Sequence, residues 1–247
     1  MPDLNLTHWL FAVVAALCIG LSKAGFGGVG MVAILLMAQI LPARASTGVI
    51  LPMLIVADIF AVSAFRKFTV WSHLVRMLPP ALIGIVCGFL LMPRISDQNF
   101  GPLIGWITLT LLALMIMQKL TCRLAARAVE HPGIAWPLGW LAGVTTMVAN
   151  AAGPVMTIYL LAARLPKYEF VGTAAWFFFI INVAKIPLSA ALGLIKPSSL
   201  VFNAALVPAI IGGIFLGRWL LGKINQGVFE WLMIAFSLLG SLRLILA

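Results

Sequence analysis

The sequence predicts an all-α polytopic membrane protein made of two homologous halves, each with a broken or re-entrant helical segment followed by three transmembrane helices. Three observations lead to this prediction: an apolar composition, eight long apolar runs, and a Gly-rich break at the corresponding place of each half. Of the 247 residues, 63% are hydrophobic and 9% are charged, whereas about a quarter of the residues in soluble domains carry charge. The composition therefore places the chain in a lipid bilayer.

Eight apolar runs are long enough to cross a hydrocarbon core about 30 Å thick. Short segments that hold most of the Lys and Arg residues separate these runs, which leaves no room for a soluble domain. The runs lie at residues 9–41 and 134–163, which are both interrupted, and at residues 45–65, 74–92, 101–118, 170–194, 200–221 and 228–246.

Several other classes of function do not fit the composition. The net charge of +10 does not indicate a nucleic-acid partner, because the basic residues are scattered over loops and do not form one basic face. The three cysteines lack the CxxC spacing of a thiolate metal site. The chain carries no sequence signature of an intramembrane enzyme. We therefore expect no catalytic residues, no cofactor and no structural metal.

An internal duplication is indicated by Gly and Pro residues that recur at a nearly constant offset. A shift of 125 positions lays Gly28 on Gly153, and a shift of 128 positions lays Pro80 on Pro208. Such coincidences are harder to obtain by chance than matches between apolar residues. The duplication divides the chain into a first transmembrane repeat at 1–118, a basic cytoplasmic linker at 119–133 and a second transmembrane repeat at 134–247.

The distribution of Lys and Arg favours inverted halves, because these residues accumulate in short cytoplasmic loops. If each interrupted segment folds back to its starting side, four basic residues face one side, namely Arg44, Arg94, Lys196 and Arg243. Ten then share the other side: Arg66, Lys67, Arg76, Lys119, Arg123, Arg127, Arg164, Lys167, Arg218 and Lys223. If each interrupted segment instead crossed the membrane fully, the Lys and Arg residues would divide almost equally between the two sides. We therefore predict re-entrant breaks, inverted halves and periplasmic termini.

The two breaks are the predicted binding site. Unwound backbone at membrane depth is tolerated where it lines protein or a cavity, and paired breaks in a repeat mark transporter sites. Half-helices beginning near Met31 and Met156 would direct their positive dipole ends into the breaks and attract an anion. Close helix packing is the alternative explanation for the glycines. The candidate substrate ligands are Lys23, Gly25, Gly27 and Gly28 in the first break and Asn150, Gly153 and Pro154 in the second.

Three further polar residues lie inside apolar runs. Lys185 follows Asn182 by one helical turn, and a charge within the membrane is costly and usually functional; both are candidate substrate ligands. Snorkelling of Lys185 to an interface is the alternative. Asp58 is a partner for Lys23 or Lys185, or a proton carrier. Thr173 either caps a helix or faces the substrate, and the sequence leaves these choices open.

Taken in order, these residues resemble the sulfite exporter TauE/SafE family over almost the whole chain. The resemblance implies a bacterial inner-membrane protein that exports sulfite or an organosulfonate such as sulfoacetate. Relatives often have His-Ala-Gly-Gly-Pro-Pro in the second break, where this chain has Asn150, which removes a group that titrates near neutral pH. The resemblance is carried by Gly20–Gly28, Asp58 with Arg66, Ala149–Pro154, Ile158–Leu160, Leu165–Lys167, Phe170–Thr173 and Asn182–Lys185.

We therefore expect an alternating-access carrier, with a small anion held between two half-helix N-termini. Its partners are that anion and the lipid bilayer; the oligomeric state is open, with a homodimer among the options. The alternative function is a cation or transition-metal permease in which Asp58 is the intramembrane ligand or proton carrier. Few buried carboxylates and the lack of a His or Cys cluster weigh against this alternative.

Overall fold

The computed structural model describes residues 5–24, 26, 29–120 and 135–220, and residues 235, 238, 239, 241, 242, 245 and 246 near the C-terminus. Within this part of the chain, seven of the eight predicted apolar runs form helices with described bounds. Residues 121–133 of the predicted linker and most of the last run lie outside the described residues, while residues 119 and 120 still belong to α5. The helices are α1 Leu6–Lys23, α2 Val29–Ile40, α3 Ala43–Phe65, α4 Trp71–Leu91, α5 Asp97–Leu120, α6 Ala135–Ala149, α7 Ala152–Ala162, α8 Lys167–Ala191 and α9 Pro197–Leu220.

Five helices, with short extensions, are long and apolar enough to cross a membrane, and α2, α6 and α7 are shorter. The 12 residues of α2 and the 11 residues of α7 each rise only about 18 Å or less at 1.5 Å per residue. Each short arm packs along the helix before it, α2 along α1 and α7 along α6, so both breaks form helical hairpins. The five candidate spans are Leu6–Lys23, Ala43–Phe68, Trp71–Arg94, Tyr168–Ala191 and Pro197–Leu220.

A Leu-Pro dipeptide follows each short arm and precedes the next long helix. Pro42 is the N-cap of α3 and Pro166 is the N-cap of α8, and each follows a leucine. A residue that precedes proline is forced out of the helical region, which stops α2 directly before Leu41. In the second half α7 ends earlier, at Ala162, and the chain turns at Arg164, whose φ is 54°. The two prolines are 124 positions apart.

The half-helices begin earlier than we predicted. The first starts at Val29, so that Gly30 is helical, and the second starts at Ala152. Pro154 is the third residue of α7 rather than the first. Because the first N–H groups of a helix have no intrahelical partner, a proline at that position removes no hydrogen bond.

Glycines bring the helices of the two halves into close contact, α1 against α9 and α4 against α6. A Cβ on Gly213 would lie 2.3 Å from Leu17 O, and one on Gly143 would lie 2.0 Å from Ala81 O. Gly213 therefore permits close helix packing, whereas the neighbouring Gly212 has no such role, because its Cβ would find only Leu17 Cδ2 at 3.8 Å.

Helices α3 and α8 run antiparallel to each other. Gly48, the sixth residue of α3, lies against Leu194 just beyond the end of α8, with its ideal Cβ 2.3 Å from Leu194 O. Gly172, the sixth residue of α8, lies against the end of α3, with its ideal Cβ 2.7 Å from Phe65 O. Two helices that each begin where the other ends have opposite directions.

Candidate functional site

A cavity lies between the two helical hairpins. Lys23 and Gly30, on either side of the first break, and residues 150–154, in the second, all line it, so the two breaks share one space. The centre of a water-sized sphere has about 70 Å³ available there, whereas one water needs about 10–15 Å³ on that measure. A small solute therefore fits. The polar side chains of the wall are Ser22, Lys23, Thr146, Asn150, Thr157 and Asn182.

Asn150 forms the second break. Its φ of 53° lies in the left-handed region, which Asn tolerates better than most residues. Because this conformation is not helical, α6 ends at the preceding residue, Ala149. The side-chain Nδ2 donates a hydrogen bond to Thr47 O in the first turns of α3, at 2.9 Å. Asn150 therefore both turns the chain into α7 and fixes that turn against the other half.

Asp58 pairs with Lys23, which answers the question that the sequence left open. Lys23, the last residue of α1, places Nζ 2.7 Å from Asp58 Oδ1. The second carboxylate oxygen, Oδ2, accepts a hydrogen bond from Asn182 Nδ2 at 2.7 Å. Lys23 also lies 4.4 Å from the centre of the Phe178 ring. Asp58 is fully buried, and its two oxygens contact different partners: Oδ1 lies in the ion pair with Lys23 and Oδ2 in the hydrogen bond with Asn182.

Lys185 is an interior residue, and the snorkelling alternative is wrong because its side chain is only 2% exposed. Within the described part of the chain, its Nζ donates to three neutral oxygens: Thr146 Oγ1 at 3.1 Å, Asn150 Oδ1 at 2.5 Å and Asn182 Oδ1 at 3.4 Å. All three partners line the cavity, although Lys185 itself does not. Lys185 thus sits directly behind the polar part of the wall.

Asn182 joins the two lysines into one network. Its amide nitrogen donates to Asp58 and its amide oxygen accepts from Lys185. Asp58 is the sixteenth residue of α3 and Asn182 the sixteenth of α8, so the two residues occupy the same position in their respective helices. We name the set Lys23, Asp58, Asn182, Lys185, Asn150 and Thr146 the interior polar network.

The structure places the other predicted ligands in different surroundings. Gly25, Gly27 and Gly28 lie outside the described residues. Gly153 and Pro154 line the cavity in the first turn of α7. Thr173 is fully buried, and its Oγ1 accepts a hydrogen bond from the backbone N–H of Val70, just before α4, at 2.9 Å. Thr173 therefore ties α8 to the residue that precedes α4, and a direct role in binding stays a prediction.

Two residues of the site were not singled out from the sequence. Thr146 precedes Asn150 by one helical turn, and Phe178 precedes Asn182 by one helical turn, so helical periodicity was the available signal. Thr146 contacts Lys185, and Phe178 covers Lys23. Each lies on the same helix face as a predicted ligand, Thr146 with Asn150 and Phe178 with Asn182.

The arrangement is unfavourable for a metal ion. Both Asp58 oxygens are engaged by Lys23 and Asn182. Among the residues that the structure describes, no group of three or more His, Cys, Asp or Glu side chains could hold a metal. The cation-permease alternative therefore loses the free carboxylate on which it depended.

Comparison with known proteins agrees with the resemblance noted in the sequence. The sequence model of the family described as Sulfite exporter TauE/SafE matches residues 12–244. This range contains every residue that lines the cavity and every member of the interior polar network. No curated protein and no solved structure gives a significant match.

Proposed function

This chain belongs to the sulfite exporter TauE/SafE family, and from that premise we propose that it carries sulfite or an organosulfonate such as sulfoacetate across the bacterial inner membrane by alternating access. The family assignment supports a multi-pass membrane transporter of small anions. The substrate, the mechanism and the periplasmic location of the termini are our proposals.

The charge of the interior polar network is the observation that carries this proposal. The network holds two lysines, Lys23 and Lys185, and one carboxylate, Asp58, which is paired with Lys23 and is linked to Lys185 through Asn182. An uncompensated charge in a medium of low dielectric constant is costly, so a site with two potential cations and one anion favours a further negative charge. A small anion in the cavity would supply it.

Backbone geometry supports the same class of solute. Ala152, Gly153 and Pro154 form the first turn of α7 and line the cavity, as does Gly30 in the first turn of α2. The first turn of a helix presents unpaired N–H groups and the positive end of the helix dipole. Two such ends border the cavity, which favours a sulfonate or sulfite group over a cation.

An inverted repeat is the proposed basis of alternating access. In the proposed repeat, α1 corresponds to α6 and α9 corresponds to α4. The contact between α1 and α9 therefore has a counterpart in the contact between α6 and α4, and both contacts occur. The corresponding helices α3 and α8 run antiparallel, as inverted halves require. We accordingly propose that residues 1–118 and 134–247 are the two repeats and that residues 119–133 connect them.

A test of topology follows directly. A reporter fused after Ala247 should give a periplasmic signal, and one inserted at Arg127 should give a cytoplasmic signal, because the more basic side faces the cytoplasm. Accessibility of single cysteines at Arg66 and Arg127 provides the control, since both positions should react from the same side. Reaction from opposite sides would exclude the inverted, re-entrant arrangement.

The function itself is tested by flux. Purified protein in liposomes should carry at least one of sulfite, sulfoacetate and ethanesulfonate, and Lys23→Met should reduce that flux at least tenfold because the cation in the cavity wall is lost. Lys196→Met is the matched control, since Lys196 is exposed before α9. If the anion travels alone, an interior-negative potential drives its exit by about 2.3 kcal/mol per charge per 100 mV. A protein that carries none of these anions but carries divalent cations would contradict the proposal.

Asn150 offers a separate prediction about binding. Asn150→Gly keeps the left-handed backbone and removes the amide, and we expect it to weaken anion affinity by roughly 1.5 to 3 kcal/mol if the amide contacts a charged ligand. Asn150→Ala should in addition lower stability by about 1–2 kcal/mol, because a Cβ is unfavourable in that conformation. Titration calorimetry and thermal unfolding measure the two effects. Equal stability of the Ala and Gly variants would show that the backbone at this break relaxes freely.

A further inference from the structure

Lys185 occupies an unusual electrostatic position. Its ammonium has three hydrogen-bond acceptors within the described residues, and all three are neutral oxygens. The side chain is 2% exposed, so neither solvent nor lipid headgroups reach it. A lysine so placed has hydrogen bonds for its proton, and among the described residues no carboxylate contacts it.

The charged and titratable groups near Lys185 are few. From α1 and α3 it faces Lys23 and Asp58, and these two already form an ion pair 2.7 Å long. From α4 and α7 the titratable groups nearest to α8 are His73 and Tyr159, which hydrogen-bond to each other at 2.9 Å. That pair lies away from Lys185, because Trp71, two residues before His73, contacts Trp176, which precedes Lys185 by nine residues on α8. Arg76, further along α4, is exposed.

The sum of charges depends on whether an anion is present. With Lys185 neutral, Lys23 and Asp58 cancel, and the interior carries no net charge. A monoanion in the cavity adds one negative charge, and a proton on Lys185 adds one positive charge, which restores neutrality. Three residues that line the cavity, Thr146, Asn150 and Asn182, contact the Lys185 ammonium. Only one layer of side chains therefore separates the two added charges, and each favours the other.

We propose that Lys185 Nζ is the binding site of a proton that travels with the anion, so that the carrier moves one proton and one monoanion together. In each cycle a proton from water on the loading side binds Nζ as the anion enters, and it returns to water on the other side as the anion leaves. Transport of a monoanion is then electroneutral. This inference rests on the proposed function and adds the coupling ion to it.

The test uses ethanesulfonate, a strong-acid monoanion that takes up no proton itself at neutral or alkaline pH. The full-length wild-type protein in liposomes that enclose a pH-sensitive dye should acidify the lumen by one proton per ethanesulfonate taken up. A potassium diffusion potential of either sign should leave the initial rate unchanged. By linkage, the Kd for ethanesulfonate should rise about tenfold per pH unit on the alkaline side of the transition.

Variants locate the proton. Lys185→Arg retains a fixed charge and should bind ethanesulfonate with a Kd that no longer varies with pH, while its transport should respond to the membrane potential. Lys185→Met should lose proton movement, and Lys196→Met should behave as the wild type. If the Lys185 variants do not fold, the proton-to-anion ratio and the potential dependence of the wild-type protein decide the question alone.

The outcomes separate the two proposals. Ethanesulfonate flux that depends on the potential and moves no proton overturns this inference and leaves the proposed function intact. Proton movement that persists in Lys185→Met overturns it as well. Absence of flux for sulfite, sulfoacetate and ethanesulfonate alike overturns the proposed function, and the inference with it.

Discussion

Asp58→Asn is expected to be the most damaging conservative substitution in this protein. The change removes the carboxylate that lies 2.7 Å from Lys23 in a fully buried position. Breaking a buried ion pair by removing one partner costs about 3–5 kcal/mol, because the other charge stays in the interior without compensation. We expect a large fall in the thermal unfolding temperature in detergent and a loss of monodisperse protein on size-exclusion chromatography.

The double variant Lys23→Met with Asp58→Asn is the control for this prediction. It removes both charges, so it should regain most of the stability that Asp58→Asn loses, while anion transport remains absent. The difference between the double variant and the sum of the two single variants measures the coupling of the pair. A single Asp58→Asn variant as stable as the wild type would show that the pair contributes little to folding.

Gly213→Ala is expected to destabilise the contact between α1 and α9, whereas the same change at the neighbouring Gly212 is not. A Cβ at position 213 would lie 2.3 Å from the backbone oxygen of Leu17, so the two helices must move apart. Overpacking of this kind costs about 1–3 kcal/mol. At position 212 the Cβ would meet only the end of a flexible side chain at 3.8 Å, and alanine gains up to about 1 kcal/mol in helix propensity.

The matched pair makes this test specific, because both residues belong to one helix and differ by one position. Thermal unfolding of the two variants should shift in opposite directions, or only Gly213→Ala should shift. Equal effects at both positions would mean that the contact between α1 and α9 is not as close as the structure has it.

The broad architecture was accessible from the sequence because lipid imposes a simple rule. A helix must be long and apolar to cross the bilayer, and the breaks stand out because glycine, asparagine and proline interrupt such runs. The starts of α2 and α7 were misplaced by two and four residues. Helix N-termini tolerate Gly and Pro, so these residues do not mark the first residue of a helix.

The partners within the site were harder to predict. Asp58 and Lys23 are 35 positions apart, and Lys185 and Asn150 are also 35 apart, so no helical spacing connects either pair. Their contacts depend on how α1, α3, α6 and α8 pack, and that packing is set by glycine contacts between the halves. Sequence alone indicated that each residue was costly in lipid, but not which neighbour offset that cost.

The correspondence between Asp58 and Asn182 has a consequence for how such a protein can be built. Two identical half-length chains would carry the same residue at both positions. Aspartate at both would bring two carboxylates together in a dry interior, where like charges force them to share one proton. Asparagine at both would leave Lys23 without a counter-ion. The Asp–Asn combination avoids both problems, and it is open only to halves that mutate independently. Joining the halves in a single polypeptide therefore permits a centre whose chemistry departs from the symmetry of its backbone, which a homodimer of half-length chains could not achieve.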